Sequence, residues 1–345
     1  MLQKLALFVF VLLLAACSSA PSPVVPAATA TLAAPQTPQP SAVPATAAAA
    51  TPAPQPSPTA GQGRVVLVAP AELGAAVIDP LRAALTDLAS GAKLGLESRA
   101  ALAAGELKPE YKIIIYLQAP TDLPALLAAA PQAQFVVVGG ADLEAKGNLS
   151  VIRQREEFRA FLAGYISVLA APDWRSLGLL PDNAALQDAF INGGRYWCGR
   201  CIPSFAPQIA FPLAVAQPAG SPAANWQAGY GQQQKNIIQA VYISSQAYSP
   251  ELVKFLFSQK LVLLGTQPPS AELTPLWAAT LRFDALPALQ KLWPAVSGGK
   301  GGQSADAALQ WSDVNESLFS PGRQRLAAQT LAGLLDGTIG PFSIP

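Results

Sequence analysis

From Arg64 onward the chain alternates short β-branched runs with amphipathic stretches, and it does so twice. Val65-Val66-Leu67-Val68, residues 113–117 and residues 135–138 read as strands apolar on both faces. Residues 73–88, 124–130 and 155–169 read as helices, the last with Phe158, Phe161, Leu162, Tyr165 and Leu169 at 3–4 spacing. A second cycle follows. Its strands are expected over 176–180, 209–215 (interrupted by Pro212), 240–243, 261–264 and 278–283. Its helices are expected over 184–197, 223–239, 249–258 and 284–296. A last helix opens at Ser320-Pro321, a cap followed by proline at the first helical position, and stops at Gly337. Strands buried on both faces and separated by helices predict parallel sheets covered by helices on each side. Two such cycles, joined near Ala170-Ala171-Pro172, predict an α/β fold of two lobes. The expected division is 64–169 with 283–299 for the first lobe, and 170–282 with 305–345 for the second. Open parallel sheets bind ligands beyond the C-terminal ends of their strands, so a cleft is expected between the lobes.

Residues 1–63 are of another kind. Lys4, an apolar run over 5–14 and Leu14-Ala15-Ala16-Cys17 have the layout of a secretory signal. The run is too short to span a bilayer, which takes roughly 17–25 residues. Small residues followed by Cys resemble the cleavage box of bacterial lipoproteins. That resemblance implies a signal peptide over 1–16 and lipid on Cys17, which becomes the first mature residue. Residues 20–62 hold Pro, Ala, Thr, Ser and Gln almost exclusively and no charge. Such a tract buries too little apolar surface to offset its ordering entropy, and its prolines favour an extended tether. Residues 17–63 are therefore expected to be a lipidated, disordered linker.

The remaining chain, roughly 280 residues, suffices for one large domain or two lobes. Charged residues make up 12% and the net charge is +1, without the clustered Lys and Arg that a nucleic-acid polymer would require. Histidine is absent, which removes Ser-His-Asp and Cys-His catalysis and most zinc-enzyme arrangements. No catalytic constellation is visible, and no enzyme activity, cofactor or metal is expected. Beyond Cys17 only Cys198 and Cys201 remain. In an oxidising compartment a disulfide is the default. A redox pair would need its first Cys at a helix N-terminus, whereas this one ends a helical pattern. A zinc site would need two further ligands.

Local sequence adds a resemblance. Arg155-Glu156-Glu157-Phe158-Arg159-Ala160-Phe161-Leu162-Ala163-Gly164-Tyr165 resembles the Glu-rich, Leu-Ala-Gly-Tyr helix of the basic membrane protein family of ABC-transporter solute-binding lipoproteins. Leu177 to Pro181, with Asp188-Ala189-Phe190-Ile191-Asn192-Gly193, resembles that family's strand, loop and Phe-x-x-Gly helix. The ending Leu334 to Pro345 resembles its closing Gly-x-Ile segment. The resemblance implies a two-lobed fold like that of the type I periplasmic-binding proteins. It further implies a nucleoside-type solute, an ABC permease as partner, and attachment to the extracytoplasmic face of the cell membrane. Two loops depart from the family. Ala69-Pro70-Ala71-Glu72-Leu73 lacks its Asp, Phe and Asn, and Gly220-Ser221-Pro222-Ala223-Ala224-Asn225-Trp226 lacks its acidic residue. The first lobe also looks shortened.

A small-solute cleft needs an aromatic platform and a few aimed polar groups. By position after strands, the candidates are Glu72, Gln118, Ser244, Ser245 and Gln267, with Asn225 and the aromatic Trp226 in a loop expected to face the cleft. Glu156, Glu157 and Arg159 read as solvated or paired. The expected function is capture of a small polar solute by lobe closure, with hinges near 170–172 and 281–284. The alternative is a degenerate receptor fold serving as an envelope sensor or protein-interaction module.

Overall fold

The computed structural model describes residues 63–70, 73–140 and 142–343. The expected signal peptide, Cys17, the tether up to Gln62, and Glu72 lie outside the described residues.

Two six-stranded sheets organise the described residues. The first contains β1 (Arg64–Val68), β2 (Gly95–Arg99), β3 (Tyr111–Tyr116), β4 (Gln134–Val138), β5 (Leu149–Arg153) and β11 (Ser304–Asp306). Their order is β11-β5-β4-β3-β1-β2, with every neighbouring pair parallel. The second contains β6 (Ser176–Pro181), β7 (Leu213–Gln217), β8 (Ala240–Ile243), β9 (Val262–Gly265), β10 (Trp277–Asp284) and β12 (Ala308–Ser312), in the order β12-β10-β9-β8-β6-β7. Only β12 runs antiparallel, against β10. Leaving the last-added strand aside, both sheets follow the same order, second-first-third-fourth-fifth.

Strand periodicity places the cores. Val65 and Leu67 point to one face of the first sheet, packed by α1 (Ala75–Gly91) and α7 (Leu286–Ser297). Val66 and Val68 point to the other, against α2 (Leu123–Ala129). The second sheet is covered on one face by α3 (Glu156–Ala170), α4 (Ala184–Cys198) and α8 (Pro321–Asp336), and on the other by α5 (Ala223–Gln233) and α6 (Pro250–Ser258). Side-chain oxygens of Asn183, Ser249 and Ser320 cap α4, α6 and α8, and Gly337 ends α8 in the left-handed region at φ 80°.

Helix α3 corrects the expected division. It packs on α4, α8 and the second sheet, so residues 156–169 belong with the second lobe. The chain therefore passes between sheets at Gln154-Arg155, not at 170–172. It returns between Asp284 and Leu286 and crosses once more at Ala307. Glycines make the α3–α4 packing possible. A Cβ on Gly164 would stand 1.9 Å from the Phe190 carbonyl oxygen, and one on Gly193 1.9 Å from that of Phe161. The two glycines of the Leu-Ala-Gly-Tyr and Phe-x-x-Gly segments thus let two helix backbones touch.

Other expectations shift at element ends. Strand β7 begins only after Pro212, since proline cannot donate to the ladder. Helix α5 stops at Gln233 rather than 239; a 3-10 turn and Ile237 at φ 56° bend the chain into β8. Strands β2, β5 and β11 bring the first sheet to six strands, as many as the second, which β12 completes. Three of them, Gly-Leu-Glu-Ser-Arg, Ser-Ala-Asp and Ala-Leu-Gln-Trp-Ser, are edge strands whose polar residues hide the apolar alternation.

Candidate functional site at the lobe crossings

The topology fixes where a ligand would sit. All three crossings leave the C-terminal end of a strand: β5 into α3, β10 into α7, and β11 into β12. The C-terminal strand ends of both sheets therefore meet at the crossings. Each sheet also has a topological switch point, between β1 and β3 and between β6 and β8, where the chain turns to opposite sides. Open parallel sheets bind ligands at such points. The segments beyond them are Ala69-Pro70, Leu117-Gln118, Pro181-Asp182 and Ser244-Ser245.

The chemistry gathers around Arg159, in the first turns of α3. Its side chain is only 11% exposed. Nη2 is paired with the Glu156 carboxylate and lies 3.5 Å from the Ser245 hydroxyl oxygen, which accepts from it. The guanidinium carbon sits 4.9 Å from the centre of the Phe283 ring, in cation–π geometry. Its Nε is buried without a hydrogen-bond partner. Beneath lies Tyr242, stacked on Phe190 at 5.9 Å. Burial pushes its hydroxyl up to about 12, with Arg159 pulling the other way. Burial also raises the Glu156 carboxyl, opposed by Arg159. A second, more exposed network braces two crossings: Arg153 Nε donates to Asp306 at 2.8 Å, and Arg155 reaches both Glu157 and Asp306. These solvated pairs fix orientation more than they add stability.

The sequence candidates separate on this frame. Gln118 is exposed beyond β3, at the first sheet's switch point. Ser244 is buried, and its hydroxyl accepts from Ala247 N within its own turn. Ser245 is exposed and touches Arg159. Gln267 is exposed past β9, with its carbonyl accepting from the Thr280 hydroxyl. Asn225 lies away from the crossings. It lines a shallow groove of about 450 Å³ along the edge strand β7, with Gln217 and Gln232. Trp226 is 1% exposed inside the core between the second sheet and α5, so it is no ligand platform. The helical spacing that buries it also packs Tyr230 there.

Arg159, Tyr242 and Phe283 were missed as a cluster. The signal was present: a single arginine inside an otherwise apolar helix, buried from Phe158 to Ala170, must find a partner. Cys198 and Cys201 are bonded, with Cα atoms 5.1 Å apart. Cys198 ends α4 and Gly199 follows at φ 68°. The pair stands at a helix C-terminus, where the dipole does not favour a thiolate.

Comparison of the fold with solved structures now decides the architecture. An ABC transporter solute-binding protein from Conexibacter woesei superposes with a TM-score of 0.60 at 13% identity, over 81% of this chain and 100% of that one. The fold is the type I periplasmic-binding fold. A transcriptional activator of the comK gene from Bacillus halodurans matches with a TM-score of 0.57 at 12% identity, over 81% and 100% of the two chains. A solute-binding protein of an ABC transporter system from Aeropyrum pernix gives 0.54 at 14% identity, over 82% and 94%. No protein-family model and no curated protein sequence matches the chain.

Proposed function

We propose that the protein is a lipid-anchored extracytoplasmic receptor that captures a small polar solute between its lobes and delivers it to an ABC permease. The observation that carries this reading is Arg159, a buried cation at the cleft end of the second lobe, oriented by Glu156, Ser245 and the Phe283 ring. Its geometry suits a solute bearing an acceptor oxygen. Gln118 supplies an amide from the opposite lobe. A solute touching both lobes is bound fully only when they close, so it shifts the population toward closure. Likeness to the basic membrane protein family supports a nucleoside-like solute, and the signal-like segment ending at Cys17 supports the anchor.

The test is a thermal-shift screen of the mature chain against nucleosides, nucleobases, sugars, amino acids and small carboxylates. A ligand at 100 times its Kd stabilises the fold by roughly 2.7 kcal/mol. A hit that Arg159→Met abolishes is the expected result. A second reading draws on the pairing of Glu156 with Arg159 Nη2, which occupies part of the guanidinium from within. The fold would then serve as an envelope sensor or interaction module. A flat panel, together with solute-independent binding of an envelope protein, would favour it.

A further inference from the structure

The end of the second lobe remote from the cleft has an unusual surface. Parallel strands β6, β8 and β9 all begin there, and α4 and α5 end there. Three turns that enter this end carry exposed apolar residues: Trp174 before β6, Phe205 in the loop before β7, and Ile237 before β8. Phe205 is 78% exposed. Tyr196 and Trp197 stand exposed on the last turn of α4.

These residues are held out, not left loose. Arg175 is buried, only 2% exposed. Its Nη2 donates to the Phe205 carbonyl at 2.7 Å, its Nη1 to the Asn236 carbonyl at 3.1 Å, and its Nε to Asp173 at 3.0 Å. One buried cation thus ties together the three turns that present Trp174, Phe205 and Ile237. Trp174 and Ile237 hold φ at 59° and 56°, a left-handed conformation that bulky side chains rarely adopt. The Cys198–Cys201 bond fastens the adjacent turn.

Charge agrees. No Asp or Glu occurs between Asp188 and Glu251, while Arg195, Arg200 and Lys235 are exposed in that stretch and Lys260 opens β9 at the same end. The only carboxylate in the turns named is Asp173, and Arg175 takes it; the exposed Glu272, Asp313 and Glu316 stand at the same end on its opposite, β10–β12 side. Trp, Tyr and Phe flanked by Arg and Lys are the side chains that settle at the boundary between headgroups and acyl chains. Tyr196 and Trp197 keep one side against Tyr165, and exposed aromatics spread over several turns suit a deformable lipid surface better than a partner's pocket. We propose that the β6–β8 side of this end of the second lobe docks onto an anionic membrane surface, with Trp174, Trp197 and Phe205 entering the interface and the cations meeting lipid phosphates. The proposal rests on the anchored reading only for proximity to the membrane.

The mature chain from residue 17, carrying Cys17→Ser so that it takes no lipid, is mixed with vesicles of phosphatidylcholine or of phosphatidylcholine with phosphatidylglycerol. Expected are co-sedimentation with the anionic vesicles, a blue shift of tryptophan emission, and quenching by brominated acyl chains. Phe205→Ser and Arg200→Glu, both at exposed positions, are each expected to weaken binding at least tenfold with an unchanged Tm. Raising the ionic strength to about 0.5 M should weaken it as well. No binding to anionic vesicles, or binding unaffected by both substitutions, overturns the proposal. So does a dimer in sedimentation velocity that Phe205→Ser dissolves, which would assign the surface to a second copy. An unmodified Cys17 in the native protein would sink the anchored reading while leaving the vesicle result to stand by itself.

Discussion

The two lobes repeat one strand order yet place polar and apolar groups in opposite ways. In the first lobe the charges sit on the edge: Glu97 on β2 bonds Arg64 at 3.0 Å and Arg99 at 2.7 Å. Beyond the central strands near its cleft stand small or uncharged residues, among them Pro70, Gln118 and Gly139-Gly140, while Arg99, Arg153 and Asp306 end the outer strands β2, β5 and β11. In the second lobe buried charges sit at both ends, Arg159 toward the cleft and Arg175 at the remote end. Among the described residues, every exposed large hydrophobic except Val77 lies outside the first lobe's strands and helices. One topology thus supports a smooth lobe and a lobe with two specialised ends. The comparison teaches that shared strand order fixes where a site can be, while a few buried cations decide which lobe is equipped.

The comparison breaks first at the helix crossing that only the second lobe has. Gly193→Ala puts a methyl against the Phe161 carbonyl, which backbone cannot yield cheaply. Overpacking typically costs 1–3 kcal/mol. With backbone as the obstacle, about 3 kcal/mol or more is expected, read as a fall in the urea midpoint. A loss under about 1 kcal/mol would mean the helices separate easily and the lobe is less tightly built than described. Next comes Arg159→Ala. Removing one partner of a fully buried pair costs roughly 3–5 kcal/mol. Glu156 is partly solvated, so about 2–3 kcal/mol is expected, together with loss of solute binding. Stability loss with binding intact would detach Arg159 from the site.

How much of this was legible follows from where the signals lie. Central strands such as Ile113-Ile114-Ile115 announce themselves because both faces are buried. Edge strands such as β2 and β11 do not, since their charges serve solvent and neighbours. The switch points needed only strand order; Gln118 follows β3 at the first and Ser245 follows β8 at the second. Trp226 misled because an aromatic after a strand fits a platform and a core equally well until the helix phase is known. Arg159 and Phe283 lie far apart in sequence, and only the fold brings them together.

The disulfide sharpens the comparison at the other end of the second lobe. Closing a loop of about four residues is worth roughly 2 kcal/mol through the entropy of the unfolded chain. Cys198→Ser with Cys201→Ser should therefore lower stability by about that amount. If vesicle binding falls as well, the bond also serves to position the Trp197 turn. Unchanged stability would show that the loop is ordered without it.

The smallest effect compares one carboxylate from each lobe. Glu97 is pushed up by burial, but Arg99, Arg64 and Tyr111 outweigh that and hold it below its ordinary value. Its contribution is present above the unfolded value and is lost as pH falls through the folded one. Glu156 is raised, chiefly by burial. The folded state then keeps a proton that the unfolded state has lost, so stability rises as pH falls from above the folded value toward the unfolded one. Urea midpoints across a pH series should therefore diverge for two variants. Relative to Glu156→Gln, the wild type gains as pH drops toward the ordinary carboxylate range. Relative to Glu97→Gln, it loses once pH passes below that range. Two slopes of the same sign would mean that the lobes hold their carboxylates alike, and that the Arg159 cluster is wetter than its geometry indicates.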